Sequence, residues 1–296
     1  MAASLGGWSG AVGGSAVASS GVGGCASGGG WVSSGWGEVA SSTVAKPRVK
    51  GRDWRRVATR VAAVSSPRTP TTTDAELLGA ERPAIATEHT EEERLDRIRA
   101  ELARGFETLA SVSGGVSIFG SARTHPDHPD YALARQTAHA LGEAGFPIIT
   151  GGGPGIMEAA NRGAREAGVT SVGLNIELPF EQAPNPYQDL ELHFHNFFAR
   201  KVMFVRYAAA FVVFPGGFGT LDELFEALLL IQTDKIRHFP VLLMRSEFWA
   251  GLHEWLRDRV AHEGFIAPHD LDLFTVTDDP DEVVALVRAG ARDQGL

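Results

Sequence analysis

The sequence predicts an α/β fold: a doubly wound, mostly parallel sheet with helices on both faces, preceded by a disordered N-terminal tail. Three observations carry this. Short apolar runs alternate with helically spaced segments from about residue 90 onward, the layout of parallel strands joined by crossover helices. Two glycine-rich turns each follow an apolar run and precede a helical stretch. Composition also changes abruptly near residue 88.

The tail comes first. Residues 1–37 contain 13 Gly and 8 Ser and no charged residue, and residues 46–60 hold seven Lys or Arg against the single acid Asp53. Residues 61–88 are rich in Ala, Thr, Ser and Pro. Such segments bury too little apolar surface to offset their ordering entropy. Residues 1–88 are therefore predicted to be disordered and dispensable for folding and activity, and residues 89–296 to form a single domain. Nine basic and five acidic residues lie in 1–85, while the whole chain has a net charge of −9. The body is thus strongly acidic, which argues against a nucleic-acid polymer as partner; the basic stretch of the tail reads as a solvated linker. No apolar span of 18 residues exists, so no membrane partner is expected. Cys25 is the only cysteine, which rules out an intrachain disulfide and fits a reducing compartment. The N-terminus lacks the charged start and apolar core of a secretory signal. The expected compartment is the cytoplasm, although a Ser- and Ala-rich, acid-poor start also resembles an organellar transit peptide.

The elements follow in order. Thr90 and Glu93 form a capping-box pair, after which Leu95, Ile98, Leu102, Phe106 and Leu109 recur at helical spacing. Val116–Phe119 is the first strand, ending at Gly120-Ser121-Ala122-Arg123. Asp130 reads as the cap of a helix running to Ala144. A strand at 147–150, a helix at 155–167 and a strand at 170–176 come next. Residues 177–189 hold three prolines and read as loop. A strand at 192–194, a helix at 197–208, a strand at 211–214, a helix at 221–232, a strand at 240–244, a helix at 247–262, a strand at 274–277 and a helix at 281–289 complete the chain.

The turn Pro215 to Thr220 has the layout of an anion site. Gly216, Gly217 and Gly219 let the backbone approach an oxyanion, the helix N-terminus offers unpaired N–H groups, and Thr220 either caps the helix or bonds a phosphate oxygen. The turn Gly151-Gly152-Gly153-Pro154-Gly155 stands in the same relation to its own strand and helix. One such turn alone is equally well explained by close packing of strand on helix. Two at strand carboxyl ends of one sheet point to a nucleotide or sugar phosphate. Ser121 either closes its turn or bonds a substrate oxygen. Glu158 and Asn161 share a helix face behind the first turn, as ribose or base ligands or as helix-surface residues. His193 and His195 alternate as on a strand without a third ligand at suitable spacing, so no metal is expected. Nothing resembles a Ser-His-Asp or Cys-His arrangement.

The turn Gly151 to Met157, the Arg200-Lys201 pair and the segment Pro215 to Glu223 resemble the LOG family, the cytokinin riboside 5′-monophosphate phosphoribohydrolases often labelled lysine decarboxylases. The resemblance covers roughly Val116 to Thr277, with Asp222 standing where many members carry a first Glu. It implies a Rossmann-like domain that splits the N-glycosidic bond of AMP or an N6-substituted AMP without a cofactor. It also implies catalytic roles for two residues: Glu223 as a carboxylate near C1′, and Arg200 in substrate orientation and charge stabilisation. Without it, Glu223 reads as an acid compensating the helix dipole and Arg200 as a surface cation. Lys201, Ser121, Gly152, Gly153, Gly155, Glu158, Asn161, Gly216, Gly217, Gly219 and Thr220 become the expected substrate contacts.

Two rival functions fit the same loops: a broad-specificity nucleoside monophosphate hydrolase, and a non-enzymatic nucleotide-sensing or cofactor-carrying module. A pure binder needs no carboxylate beside C1′, so Glu223 separates them. No lysine stands in a pyridoxal-phosphate context, which disfavours lysine decarboxylation. The segments 197–208 and 221–232 carry Phe197, Phe198, Met203, Phe204, Leu224, Phe225, Leu228 and Leu229, more apolar side chain than one sheet face needs. A homodimer or a higher multiple is expected.

Overall fold

The computed structural model describes residues 72–79, 89–179 and 183–296. Among them, seven parallel strands form one sheet: β1 (Gly115–Phe119), β2 (Ile148–Thr150), β3 (Ser171–Ile176), β4 (Leu190–Phe194), β5 (Ala208–Val213), β6 (Val241–Met244) and β7 (Thr275–Thr277). Their order is β4-β3-β2-β1-β5-β6-β7. The chain winds outward in one direction from β1 and in the other from β5. The reversal opens a crevice at the carboxyl ends of those two strands.

The helices are α1 (Thr73–Gly79), α2 (Glu91–Thr108), α3 (Pro129–Glu143), α4 (Ile156–Ala167), α5 (Phe197–Arg206), α6 (Phe218–Gln232), α7 (Ser246–Trp255) and α8 (Pro280–Gln294). Alternate strand residues point to opposite faces. Ile148 joins Val116, Ile118 and Val212 in a core built with Tyr131, Ala134 and Ala138 of α3, Ala159, Ala160 and Ala164 of α4, and Val283 and Val287 of α8. Ile149 instead joins Phe119, Phe211 and Leu174 in the opposite core, built with Met203 and Phe204 of α5 and Leu224 and Ala227 of α6. Central strands buried on both faces explain why these runs are continuously apolar. No helix among the described residues is long and apolar enough to cross a membrane.

Several elements differ from the sequence expectation. The capping box forms as read: Thr90 N–H donates to Glu93 Oε2 at 2.7 Å and Glu93 N–H to Thr90 Oγ1 at 3.3 Å. Asp130, however, is not a cap. His128 caps α3, its Nδ1 accepting the Asp130 N–H at 3.1 Å, with Pro129 in the first turn. The Asp130 carboxylate pairs with Arg245 at 2.5 Å. Ala208, the expected end of the helix over 197–208, instead opens β5 three residues before the strand expected at 211–214, with Gly115 paired to Ala208 and Val116 to Ala210. Sheet pairing overrides the helix propensity of alanine. The helix expected over 247–262 is α7 followed by a π-helical turn, Leu256–Ala261. The tail needs one correction. Residues 73–79, placed in the disordered segment 1–88, form α1, and its Glu76 is buried against Arg94. The remainder of 1–88 lies outside the described residues.

Helices α3 and α4 approach closely because their facing side chains are small. A Cβ at Gly163 would collide with the Arg135 carbonyl oxygen and the His139 nitrogen, both backbone atoms that cannot rotate away. Gly163→Ala should therefore destabilise the protein by about 1–3 kcal/mol through overpacking. Gly251, in α7 with open space around it, should instead gain roughly 0.5–1 kcal/mol on change to Ala. Urea midpoints of the two variants, measured side by side, check the opposite signs; shifts of the same sign would contradict the packing argument.

Candidate functional site

A cavity of about 660 Å³ opens at the strand reversal. Phe119, Gly120, Ser121, Ala122 and Arg123 line it from the end of β1, and Gly217 to Glu223 from the turn after β5. Gly151 and Met157 contribute from the first glycine turn, and Phe197 and Arg200 from α5.

The second glycine turn runs directly into α6, three residues earlier than the expected start at Leu221. Gly217 is the N-cap and carries no side chain to bond the first turn. Its carbonyl accepts the N–H groups of Thr220 and Leu221, each at 3.0 Å. The N–H groups of Phe218 and Gly219 precede the first possible intrahelical acceptor, so the helix presents them, with its positive end, to the cavity. Gly216 makes room behind: a Cβ there would overlap the Thr220 side chain. A Cβ at Gly217 would meet nothing within 4 Å, because that side faces the open cavity.

Glu223 lies one turn farther along α6, on the face of Thr220. It is only 6% exposed. Burial raises its carboxyl from the usual 4.5 to about 7, against the pull of Arg200 and Lys201 and with a further push from Glu226 and Asp222. Arg200 is its counter-charge. Burial lowers the guanidinium to about 10 while Glu223 supports it, so it remains cationic at neutral pH. Its Nε has no hydrogen-bond partner, and the group sits 5.1 Å over the Phe204 ring. Gly151 makes room here, since a Cβ would press on the Arg200 guanidinium and the Met157 sulfur and shift both side chains.

The structure thus brings together Ser121, Arg200, Gly217, Gly219, Thr220 and Glu223. The other expected contacts fall outside the lining. Lys201 does not line the cavity; its ammonium is paired with Asp222 at 3.0 Å and Glu226 at 2.7 Å. Asn161 is fully enclosed, and its amide is committed to protein partners. Its oxygen accepts from Thr150 at 2.6 Å and Asn185 at 2.9 Å, and its nitrogen donates to Ser171 at 2.8 Å. Glu158 accepts the Tyr131 hydroxyl at 2.9 Å, which together with burial raises that phenol to about 12. Gly152 and Gly153 offer their carbonyls to Asn185, and Gly152 also to Gln188 at 2.9 Å. Gly155 has φ of +69°, and a Cβ would collide with the Ser121 carbonyl oxygen. Gly216 supports Thr220 from behind. The first glycine turn therefore mainly positions the chain.

Sequence reasoning passed over Arg123, Met157, Phe197 and Phe218. Arg123 is exposed, pairs with no carboxylate among the described residues, and faces the same cavity from β1. Its signal was its place: a cation two residues past Ser121, in the turn where a sheet of this kind presents its ligand groups. His193 and His195 project outward toward Glu191 and Glu101. No group of three or more His, Cys, Asp or Glu among the described residues could hold a metal.

The family model described as "Possible lysine decarboxylase" matches residues 157–287. A protein of Oryza sativa subsp. japonica named as a probable cytokinin riboside 5′-monophosphate phosphoribohydrolase is 32% identical over 46% of this chain and 55% of its own length. The cytokinin riboside 5′-monophosphate phosphoribohydrolase of Rhodococcoides fascians is 29% identical over 53% of this chain and 80% of its own. The pyrimidine/purine nucleotide 5′-monophosphate nucleosidase of Escherichia coli K12 is 31% identical over 45% and 32%. The chain thus spans about half the length of the rice relative and about a third of the Escherichia coli one. Family model and relatives together bear out the resemblance to the LOG family that the sequence carries in its Arg200-Lys201 pair and its Pro215–Glu223 segment.

Proposed function

We propose that this chain hydrolyses the N-glycosidic bond of a nucleoside 5′-monophosphate, AMP or an N6-substituted AMP of the cytokinin type, releasing the free base and ribose 5-phosphate. The observation that carries this is a buried carboxylate with a matched cation, Glu223 beside Arg200, one helical turn from an uncapped N-terminus inside one cavity. The names of the relatives point the same way.

In this reading the phosphate takes the Phe218 and Gly219 N–H groups and the Thr220 hydroxyl, with Arg123 opposite. The ribose then extends along α6 toward Glu223. As the C1′–N bond breaks, its electron pair leaves with the base, which takes a proton from solvent, and C1′ becomes oxocarbenium-like. The Glu223 carboxylate faces that positive charge and accepts the proton of the water that bonds to C1′. A carboxyl near 7 is a far better base than one at 4.5 and is still about half ionised at neutral pH. Arg200, which remains charged, orients the sugar oxygens. The base lies against Phe119, Met157 and Phe197, which hold it by apolar contact. A broad-specificity nucleoside monophosphate hydrolase is the second reading. It is favoured by these apolar contacts, which do not distinguish one base edge from another, and by the name of the Escherichia coli relative.

Free-base release from AMP, GMP, CMP, isopentenyl-AMP and adenosine separates the readings. AMP-type substrates should lead, and adenosine, lacking phosphate, should be poor; equal cleavage of adenosine and AMP would remove the phosphate-anchor argument. Glu223→Gln should lower turnover about a hundredfold or more while AMP still binds, and Gly217→Val should abolish binding. Wild-type kcat/KM should fall about tenfold per pH unit below about 7, as the base is protonated. Stability carries the opposite cost. Because the folded carboxyl titrates above its unfolded value of 4.5, the native state holds the extra proton between 4.5 and about 7 and loses stability as pH rises through that window. Glu223→Gln should therefore match wild type near pH 4 and exceed it by up to about 3 kcal/mol at pH 8. Turnover unaltered by Glu223→Gln would refute the assignment.

We also propose that the chain is a homodimer. Met203, Phe204 and Leu224 enter the core, but Phe198, Val202, Phe225 and Leu229 of α5 and α6 remain exposed beside Phe218, which is 93% exposed. Exposed apolar side chains gathered on two adjacent helices mark an association surface. Sedimentation at micromolar concentration should show a dimer or a multiple of it, and Phe225→Asp with Leu229→Asp should yield a monomer; a monomeric wild type would contradict this.

A further inference from the structure

Helix α5 begins without the cap that its own sequence offers. Asn196 occupies the N-cap position, where asparagine is among the favoured residues, yet its side chain makes no capping bond. Its amide nitrogen donates to Glu101 Oε2 at 3.1 Å, and its buried side-chain oxygen has no hydrogen-bond partner. The N–H of Phe197 is met instead by Asp74 Oδ2 of α1 at 3.0 Å, across 123 residues of sequence. Helix α1 is pinned around this contact. Glu76 pairs with His89 at 3.0 Å and Arg94 at 3.4 Å, and the Thr73 hydroxyl donates to Glu177 at 3.5 Å.

We propose that Asp74 is a positioning residue: α1 is a strap that caps α5 from outside and holds the turn carrying Phe197 and Arg200 against the cavity. This rests on the reading that Arg200 and Glu223 act on substrate. The coupling is short. The Arg200 N–H donates to the Asn196 carbonyl at 3.3 Å, the first backbone bond of α5, so fraying of the first turn releases Arg200 directly. The Asp74 carboxylate also complements the positive end of the helix. The unpartnered oxygen of Asn196 defines the other state. When α1 leaves, that side chain is the residue in place to take over the cap, with the turn in a different setting. The strap lies within the segment whose composition marked it as dispensable.

The test compares Asp74→Ala with Asp74→Asn in the full chain. Asn keeps a side-chain acceptor and should behave as wild type. In Asp74→Ala, amide exchange at Phe197 should accelerate about tenfold. The Glu223 carboxyl faces Arg200 and Lys201 from α5 and Asp222 and Glu226 from its own helix. With Arg200 less well held, its titration, followed by carbon-13 NMR, should move upward by about half a unit. The loss in AMP hydrolysis should be about three- to tenfold, mainly in kcat, with the acid limb of the rate profile moving with the titration. Unchanged Phe197 exchange overturns the strap. So does a Glu223 titration that stays put while exchange accelerates. A moved titration in a protein that cleaves no nucleotide supports the strap and sinks the hydrolase reading instead.

Discussion

Holding Arg200 and Glu223 out of water, at the point where the strand order reverses, is the constraint that shapes the rest of the site. A buried carboxylate and a buried guanidinium are each costly to take out of water, and here each offsets only part of the other's cost. The fold meets this cost with position: α5 and α6 flank β5 and deliver one charge each to the same cavity. The carboxyl responds by retaining its proton to about 7, whereas the guanidinium remains charged. The pair is thus uneven, with a fixed cation and a carboxyl poised near neutrality. That unevenness is what a base needs and what a purely structural ion pair does not.

The two glycine-rich turns look alike in sequence and perform different work. In the first, positive φ at Gly152 and Gly155 and contacts to Asn175, Ser121 and Asn185 bind the turn into the protein. Glycine is required there because other protein atoms fill the space of a side chain. In the second, Gly217 and Gly219 have nothing within 4 Å of where a Cβ would stand. Glycine is uncrowded there and leaves the first-turn N–H groups open to the cavity. A glycine with no neighbour and a glycine with too many neighbours are indistinguishable in a sequence, and only the second turn is left open toward a ligand.

This difference sets how far the sequence could be read. The alternation of elements and the anion turn before Glu223 are local patterns with strong signals, because parallel strands are short apolar runs and their turns need glycine. Asn161 is read from a helix face and Lys201 from its place beside Arg200 in the family pattern, and neither says which neighbour the side chain meets: Asn161 meets Thr150, Asn185 and Ser171, and Lys201 meets Asp222 and Glu226. Helix α1 was hidden for another reason. Seven residues, Thr73–Gly79, carry too little periodicity to stand out from a polar tail, and what fixes them is pairing to Arg94 and to the start of α5, both distant in sequence. Ala208 departs from the expected helix because pairing with Gly115 in the sheet decides it.

Two of the buried polar atoms left unpaired among the described residues lie at the start of α5. Buried side-chain atoms are nearly always hydrogen-bonded, so each exception calls for a reason. These two are the Asn196 oxygen at the N-cap and the buried Nε of Arg200, a residue whose side chain lines the cavity. A substrate oxygen reaching Arg200 would satisfy the second and add a charge-assisted bond in a site with little water to compete. The first has no such ligand within reach; it is the residue of a cap transferred to Asp74. The helix therefore carries unmet bonding capacity at both its supporting end and its working end. The turn that leaves one donor open for substrate has its first N–H met by a carboxylate 123 residues away, so the proposed readiness of the site rests on a contact made far away in the sequence.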